Sequence, residues 1–409
     1  MRNRILILTG ILACIYGIRP IDADEIRKEG RYWTGQITKT FDVQKNGQLV
    51  IREVSGDITV HTWDKLQVKV HEIKRMDIFS KSEAEIAMKT SENNYQKKDD
   101  AIYIGGAGFN RKWIESSFEI WVPVEFHCSI ETEGGDLDIE NLKGDIKAIT
   151  GGGDVEITDI DGTINAITGG GDIRIQNALK KVTVTTGGGD IEIESAGGPV
   201  DVTTGGGDVS VSETRQDVKV QTGGGDITIL ESQGNLDATT GGGDIEISKC
   251  GGAVNVTTGG GDIALKNLQN SCRIRTGGGD IYGDNIAGDT HIETGAGDVV
   301  LNNLSGRLDA VTGSGDVYVE IASVNDKKGI PIKIKSGNGD IQLVIPANMP
   351  ASIQARVSED YEISSDFSLI ISTVNKSGNR YVEATGKLNG GGELILLETG
   401  SGDIHLGKK

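Results

Sequence analysis

Aspartate residues that follow short glycine-rich runs are the clearest candidates for chemistry in this sequence. Each comes directly after Gly-Gly-Gly or a close variant, and eleven of them recur at a constant 18-residue interval. Carboxylate oxygens at such regular spacing could bind cations, or could accept hydrogen bonds from the N–H groups of a tight turn. The eleven residues are Asp136, Asp154, Asp172, Asp190, Asp208, Asp226, Asp244, Asp262, Asp280, Asp298 and Asp316.

Calcium binding is the first hypothesis for this aspartate column. Calcium-binding β-rolls have coils of the same length, made of two nonapeptides, but their motif would put its aspartate at positions that here hold Glu156, Arg174, Ser210 and their equivalents. Such a mixture cannot form a repeated oxygen cage. We therefore expect no specific metal site and no cofactor, and we predict that the aspartates form a structural ladder of turns. Turn N–H groups, threonine hydroxyls or cations must relieve the repulsion between the carboxylates. The sequence does not distinguish among these three possibilities.

Catalysis would require a cluster of carboxylates or nucleophiles that departs from the repeat, and the sequence offers none. Outward positions in the second half of each coil hold mixed residues such as Asp201, Lys219 and His291, which is typical of a solvated face. No insertion between Asp136 and Asp316 could build a cleft, and no Gly-Lys-Ser/Thr follows a glycine run. The sequence thus favours a protein that is not an enzyme. A carbohydrate-active enzyme on the outer face is the less favoured alternative.

Two short strands in each coil must position the aspartates. Counted from each aspartate, apolar residues recur at offsets +1 and +3, as in Ile191 and Ile193, and again at +10 and +12, as in Val200 and Val202. Alternation with period two indicates a strand with one buried face. Apolar residues at offset +6 predict a third short side between these strands. Stacked coils of this kind predict an all-β, parallel β-helix (β-solenoid) built from 18-residue coils.

Composition supports a slim core and excludes some partners. The 409 residues include 60 glycines and only 4% aromatic residues, so the interior should be narrow and aliphatic. Three of the four tryptophans, Trp63, Trp113 and Trp121, could form a sugar-stacking surface, although the core of an N-terminal cap is the favoured interpretation. A net charge of −19 makes nucleic acid and anionic lipid surfaces poor partners.

The N-terminus predicts export. Two arginines in the first four residues precede an apolar run from Ile5 to Ile18, which matches a secretory signal and is too short for a stable transmembrane span. Cleavage after Ala23 would release a soluble chain. A loose lipobox ending at Cys14 is the alternative, with Cys14 lipidated as the anchor of an outer-membrane lipoprotein. Either way we expect a periplasmic or cell-surface location.

The remaining cysteines and the flanks complete the expected organisation. Cys128, Cys250 and Cys272 are odd in number, and we expect them to be free buried thiols. The predicted divisions are a signal peptide over residues 1–23, an N-terminal coil and irregular cap over 24–128, the regular 18-residue repeat over 129–320, and wider, irregular C-terminal coils over 321–409. A helical segment is expected within the cap at Ser82 to Thr90.

The segments Ser55-Gly56-Asp57-Ile58-Thr59-Val60, the repeated Thr-Gly-Gly-Gly-Asp-Ile and the closing Thr-Gly-Ser-Gly-Asp-Ile together resemble the bacterial putative-adhesin family of β-strand-repeat proteins, a domain of unknown function. The resemblance covers about residues 40 to 407. It implies a glycine-rich β-solenoid at the cell envelope with no catalytic residues to carry over. We therefore expect a structural or adhesive role toward an unknown envelope protein or cell-surface polymer. A periplasmic scaffold for envelope assembly or stress signalling is the alternative.

Overall fold

Two long, mainly parallel sheets enclose one hydrophobic core in the computed structural model, which describes residues 26–105, 113–322, 328–376 and 379–409. The chain adds one strand to each sheet in every coil. Residues at equivalent positions of successive coils lie side by side, as Ile173 does beside Ile191 and Val182 beside Val200. This register confirms the nearly all-β, parallel β-solenoid and the length of its regular coil.

The regular coils supply the central strands of both sheets. In the first sheet these are β10 Leu137–Glu140, β12 Val155–Ile160, β14 Ile173–Ala178, β16 Ile191–Ala196, β18 Val209–Thr214, β20 Ile227–Ser232, β22 Ile245–Cys250, β24 Ile263–Leu268, β26 Ile281–Ile286, β28 Val299–Leu304 and β30 Val317–Ile321. In the second sheet these are β11 Ile146–Thr150, β13 Ile164–Thr168, β15 Val182–Thr186, β17 Val200–Thr204, β19 Val218–Thr222, β21 Leu236–Thr240, β23 Val254–Thr258, β25 Cys272–Thr276, β27 Thr290–Thr294 and β29 Leu308–Thr312.

The core is a stack of aliphatic rows, as the alternating pattern predicts. Ile191, Ile193, Val200 and Val202 are each at most 2% exposed, and their equivalents in the other coils are buried in the same way. Because β-branched side chains stack directly on one another from coil to coil, the narrow interior is filled without large aromatic rings. The three cysteines predicted to be free buried thiols are confirmed as such.

The expected third side of the coil is not a separate strand. Residues at offset +6, such as Ile160 and Ala178, pair with each other as the last residues of the longer strands of the first sheet. They are turned inward by the preceding residue, at offset +5, which has a left-handed backbone conformation, as Asp159 and Asn177 do with φ of 57° and 55°. Each coil therefore has two strands, one of which bends near its end.

The N-terminal cap combines parallel coils with antiparallel strands and a helix. Strands β1 (Arg27–Glu29), β2 (Tyr32–Asp42), β5 (Gln67–Met76) and β8 (Ile114–Pro123) are antiparallel neighbours at the start of the first sheet. Strands β7 (Ala101–Ile104) and β3 (Gly47–Val54) lead into the second sheet. The predicted helix is confirmed: Ser80 caps it and forms a reciprocal capping box with Glu83. The elements are β1 Arg27–Glu29, β2 Tyr32–Asp42, β3 Gly47–Val54, β4 Ile58–Trp63, β5 Gln67–Met76, α1 Lys81–Ser91, a 3₁₀ turn Glu92–Asn94, β6 Tyr95–Lys98, β7 Ala101–Ile104, β8 Ile114–Pro123 and β9 Phe126–Thr132.

The C-terminal coils are wider and close the core differently. In the second sheet β33 (Ala351–Ser358) is antiparallel to β36 (Asn379–Leu388), and β36 is antiparallel to β35 (Ile370–Lys376). Among the described residues β35 is therefore the last strand of that sheet. The elements are β31 Ile332–Asn338, β32 Ile341–Ile345, β33 Ala351–Ser358, β34 Ile363–Ser365, β35 Ile370–Lys376, β36 Asn379–Leu388, β37 Leu394–Ser401 and β38 Ile404–Lys408. No helix in the described part of the chain is both long and apolar enough to cross a bilayer.

Candidate functional site

The eleven aspartates lie in one column along an edge of the shaft. The backbone N–H of each aspartate donates to Oδ1 of the aspartate one coil earlier, and the ten N···O distances are 2.7 to 2.9 Å. Asp57 precedes this column, and Asp340 and Asp403 extend it through the same contact. These three additional members stand in the motifs Ser-Gly-Asp-Ile, Gly-Asn-Gly-Asp-Ile and Ser-Gly-Asp-Ile, so the sequence carried a signal for each.

Turn N–H groups, rather than threonine hydroxyls, contact the carboxylates. The threonine before each glycine run is buried and bonds to the glycine backbone instead: Thr204 Oγ1 donates to the carbonyl of Gly189 at 3.0 Å and accepts from the N–H of Gly207 at 3.2 Å. One hydroxyl thus connects two successive turns. A charge-assisted hydrogen bond therefore joins each carboxylate to the backbone of the next turn.

Close approach between coils explains the glycine runs. A Cβ atom on the first glycine, Gly187, would lie 2.1 Å from the carbonyl oxygen of Gly169, and one on the third, Gly189, would lie 2.0 Å from that of Gly171. A Cβ atom on the second, Gly188, would meet nothing within 4 Å. The sequence agrees, because only the second position varies in the later turns, where Ala296, Ser314 and Asn338 occupy it. Two of the three glycines are therefore required by packing.

A second column, at offset +5, was missed by the sequence reasoning. Its residues all have φ between 54° and 59°, a conformation that asparagine adopts more readily than most residues. The recurrence of asparagine at this offset was the sequence signal that could have predicted the left-handed conformation. Side chains of this column bond along the shaft, as Asn177 Nδ2 does to Asp159 Oδ1 at 2.8 Å. The column consists of Asn141, Asp159, Asn177, Ser195, Glu213, Glu231, Lys249, Asn267, Asn285 and Asn303.

The outer surface of the second sheet holds a groove of about 1030 Å³, which we call the second-sheet groove. It crosses eight coils, which corresponds to a length of about 34 Å at one strand spacing per coil. Offsets +9 and +11 supply its polar walls. Its charged lining residues are Lys181, Asp201, Asp217, Lys219, Asp237, Arg273, Arg275, Asp289, His291, Arg307 and Asp309.

Charges of both signs lie along this groove. Lys219 lies in register between Asp201 and Asp237 on neighbouring strands. Farther along, His291 Nδ1 is 3.8 Å from a carboxylate oxygen of Asp309. The groove is thus suited to an extended polar ligand that carries charges of both signs, rather than to a compact apolar one.

A carboxylate beside the groove is strongly perturbed. Glu293 accepts hydrogen bonds from Arg275 Nε at 2.6 Å and from His291 Nε2 at 2.8 Å. These contacts lower the pKa of Glu293 from 4.5 to about 2, with Arg275 as the largest cause and His291 as the next. Glu293 therefore holds two cationic or donor groups of the groove wall in fixed positions.

A smaller groove of about 570 Å³ follows the aspartate column on the first sheet. Ladder residues such as Asp190 form one wall, and outward residues of the adjacent strands, including Arg174 and Glu192, form the other. Arg174 Nε and Glu192 Oε2 are 2.8 Å apart. Among the described residues, no group of three or more His, Cys, Asp or Glu side chains is placed to hold a metal ion.

Trp63, Trp113 and Trp121 are not buried core residues, and the cap-core interpretation of these three is wrong. Trp121 alternates with buried Ile120 and Val122, so it lies on the outer face of the first sheet. His61 and Lys69 flank it on the neighbouring strands, with His61 5.7 Å from the ring centroid and Lys69 Nζ 4.5 Å from it.

Trp63 lies 6.4 Å from the same ring. Lys69 Nζ lies over the ring of Trp121, so that face of the ring is not free for sugar stacking. Trp113 is not part of this cluster, and its side chain is 59% exposed.

A buried ion pair lies inside the cap. Glu72 and Lys74 are fully buried on the inner face of β5, with Lys74 Nζ 2.5 Å from Glu72 Oε1, although not in hydrogen-bond geometry. Ser116 accepts from Lys74 at 3.1 Å, and the hydroxyl of Tyr95 donates to Glu72. Burial lowers the pKa of Lys74, and the charge of Glu72 opposes that shift. The network ties β5 to β6 and β8, which is a structural role.

The buried thiols are poor nucleophiles. Burial raises the pKa of Cys128 to about 12 and that of Cys272 to about 11. Burial also raises the pKa of Cys250. Thiolates are the reactive form of cysteine, so these three residues are inert in the folded chain. Cys14, the alternative lipidation site, lies outside the described residues, as does the whole of the expected signal peptide.

Comparisons with known proteins identify one family. A family model described as Toastrack DUF4097 matches residues 47–249 and 231–407. The match confirms the resemblance inferred from the motifs. A comparison with curated proteins found no match.

Two solved structures are similar in part. The crystal structure of a putative adhesin from Bacteroides fragilis is 16% identical, with 69% of this chain and 96% of that chain covered and a TM-score of 0.25. The crystal structure of a putative cell adhesion protein from Clostridium sporogenes is 9% identical, with 92% and 100% covered and a TM-score of 0.16. TM-scores of this size do not support a transfer of function or of individual residues.

Proposed function

This chain belongs to the Toastrack DUF4097 family, and from that premise we propose that it is a non-catalytic β-solenoid of the bacterial cell envelope that binds an extended partner along the second-sheet groove. The partner is an envelope protein or a cell-surface polymer with charges of both signs. The role is adhesive or structural, and it requires neither a cofactor nor a metal.

The single observation that carries this proposal is the length of the second-sheet groove. A groove that crosses eight coils without an inserted loop offers a track for a chain-like ligand and no enclosed pocket for a small substrate. Some of its charges are paired with side chains beside the groove, as Asp309 is with Lys333 Nζ at 2.9 Å. Preorganised charges favour specific recognition because little rearrangement is needed on binding.

Export is the second part of the proposal and rests on the sequence. The basic first residues and the apolar run from Ile5 to Ile18 support a secretory signal, with lipidation at Cys14 as the alternative route to the envelope. The division into a cap over residues 24–128, a regular shaft over 129–320 and irregular coils over 321–409 remains our proposal for the mature protein.

A periplasmic scaffold for envelope assembly or stress signalling is the second candidate. Protease shaving of intact cells, with a periplasmic protein as control, separates the two. Loss of the chain from the cells favours the adhesive role, whereas full protection favours the scaffold.

Groove binding is tested on the isolated envelope. We expect the full chain to co-sediment with envelope fragments and the double variant Lys219→Glu/Arg273→Glu to lose at least about tenfold in affinity, because both charges line the groove. Lys147→Glu is the matched control, since Lys147 lies in the same outward column before the groove begins. Equal binding by all three proteins would contradict the role of the groove.

A further inference from the structure

The last strand of the second sheet, β35, has one open edge. Among the described residues β35 pairs with β36 alone, in the antiparallel register that sets Ile371 opposite Ala384. The other edge of β35 therefore presents unpaired N–H and C=O groups along the seven-residue strand. An open edge of this kind is a template for pairing with another strand.

The side chains of this edge strand are apolar and uncovered. Ile370 is 74% exposed and Ile371 is 51% exposed. As successive residues of one strand, they lie on opposite faces of the sheet. Ile371 lies opposite Ala384 on the same face of the sheet, and Ala384 is fully buried. The hydrophobic face therefore extends to β35, where Ile371 is left half exposed.

The charges at the two ends of the second sheet decide which strand can pair there. Six of the seven residues of β35, Ile370 to Asn375, are uncharged, and Lys376 is the last residue of the strand. The opposite end of the sheet finishes with β6, whose residues Lys97 and Lys98 are exposed. Lysines on an edge strand oppose pairing, because a partner strand would have to bury them. Head-to-tail stacking of shafts is thus disfavoured, whereas the uncharged residues Ile370 to Asn375 can pair with the same residues of a second copy, with Lys376 at the end of the ladder.

We propose that β35 pairs with β35 of a second copy of this chain, in antiparallel orientation about a two-fold axis. Such an interface is closed, because the same surface is used once on each copy, so it yields a dimer and not a fibre. In this interface the unpaired backbone groups of one edge bond to those of the other. The same pairing covers Ile370 and Ile371 of both copies. The pairing of one short strand from each copy is a small interface, so we expect dissociation in about the micromolar range.

This dimer goes beyond the proposed function and adds a property to it. Two shafts joined at their C-terminal ends would place the two N-terminal caps at the far ends of one rod. Each rod would carry two second-sheet grooves, which allows a polymer or a surface to be bound at two places at once.

Sedimentation velocity of the full chain tests the proposal across about a hundredfold range of concentration around the expected micromolar value. We expect a monomer–dimer equilibrium for the natural chain and at least about a tenfold weaker dimer for Ile371→Lys, because lysine would be buried at the pairing edge. Leu179→Lys is the matched control, since Leu179 is 61% exposed on a regular coil far along the sequence from β35. This variant should dimerise as the natural chain does.

A cross-linking measurement covers the case in which Ile371→Lys fails to fold. Because Cys128, Cys250 and Cys272 are buried, a cysteine placed in β35 by Ser372→Cys is accessible to oxidation while they are not. We expect a covalent dimer from Ser372→Cys and none from Leu179→Cys. A natural chain that stays monomeric throughout, a dimer unaffected by Ile371→Lys, or equal cross-linking of both cysteine variants would each overturn the proposal.

Discussion

The backbone N–H of Asp190 donates a hydrogen bond of 2.8 Å to Oδ1 of Asp172, one coil earlier in the chain. Asp190 in turn accepts at Oδ1 from the N–H of Asp208, also at 2.8 Å. Each aspartate is therefore a donor through its backbone and an acceptor through its side chain. The aspartate column thus holds successive turns in register, and this use of the carboxylates requires no metal.

Replacement of one ladder residue separates the hydrogen bond from the charge. We expect Asp190→Ala to lower the free energy of unfolding by about 1 kcal/mol, because the N–H of Asp208 loses its acceptor. Asp190→Asn should change it much less, since the amide oxygen still accepts; Asn235 Oδ1 already accepts from the N–H of Ala253 at 3.0 Å. Urea unfolding followed by circular dichroism measures both variants. Equal losses would show that the charge, and not the hydrogen bond, matters.

The glycine run offers a matched pair of substitutions. We expect Gly188→Ala to leave the midpoint of thermal unfolding nearly unchanged, because its Cβ atom would meet nothing within 4 Å. Gly189→Ala should lower the free energy of unfolding by about 2 kcal/mol or more, since its Cβ atom would lie 2.0 Å from the carbonyl oxygen of Gly171. Scanning calorimetry decides between them. A harmless Gly189→Ala would mean that the coils are farther apart than described.

The buried threonines can be tested with a change of almost constant volume. Thr204→Val removes the hydroxyl that joins the carbonyl of Gly189 to the N–H of Gly207, so two buried backbone groups lose a partner. We expect a loss of about 1 to 3 kcal/mol in the free energy of unfolding. Thr203→Val, on the exposed face of the same strand, is the control and should have little effect. Similar behaviour of the two valine variants would argue against the hydroxyl bridge.

Glu293 predicts a specific pH dependence. Its pKa is about 2 in the folded chain, below the ordinary value of 4.5, so its contacts with Arg275 and His291 stabilise the fold above pH 4.5. That contribution should fade as the pH falls from about 4.5 toward about 2. Glu293→Gln lacks the titration, so the difference in unfolding free energy between natural chain and variant should shrink over this range. A difference in unfolding free energy that does not depend on pH would contradict the assigned contacts. Added salt should reduce the stabilisation by Glu293, because the site is exposed.

Much of the architecture follows from the repeat alone. The positions that hold Ile191, Ile193, Val200 and Val202 alternate with polar residues, and this period of two can only place one face inward. A constant interval without insertion then requires that equivalent strands stack. The same regularity predicted that the aspartates share one column. Glycine at a turn can serve either a positive φ or a close approach, and the packing of Gly189 against Gly171 shows that close approach is the reason here.

Other features depend on contacts that no local pattern encodes. Trp121 is expected in the core by its residue type, yet its place in β8 between β4 and β5 turns it outward, beside His61 and Lys69. The bend at offset +5 has only a weak signal in the sequence, because residues as different as Asn177 and Lys249 adopt it beside the recurring asparagines.

The sequence by itself determined the β-solenoid, its period, its inward rows and its family, because each of these depends on a pattern repeated many times along the chain. Only the tertiary structure decided which atoms relieve the aspartate column, where the second-sheet groove runs, and that β35 ends the sheet with an open edge. The physical reason is that a repeat specifies how one coil follows another. Grooves, caps and edges arise where several coils meet, or where the repeat stops and the chain has no next coil to pair with.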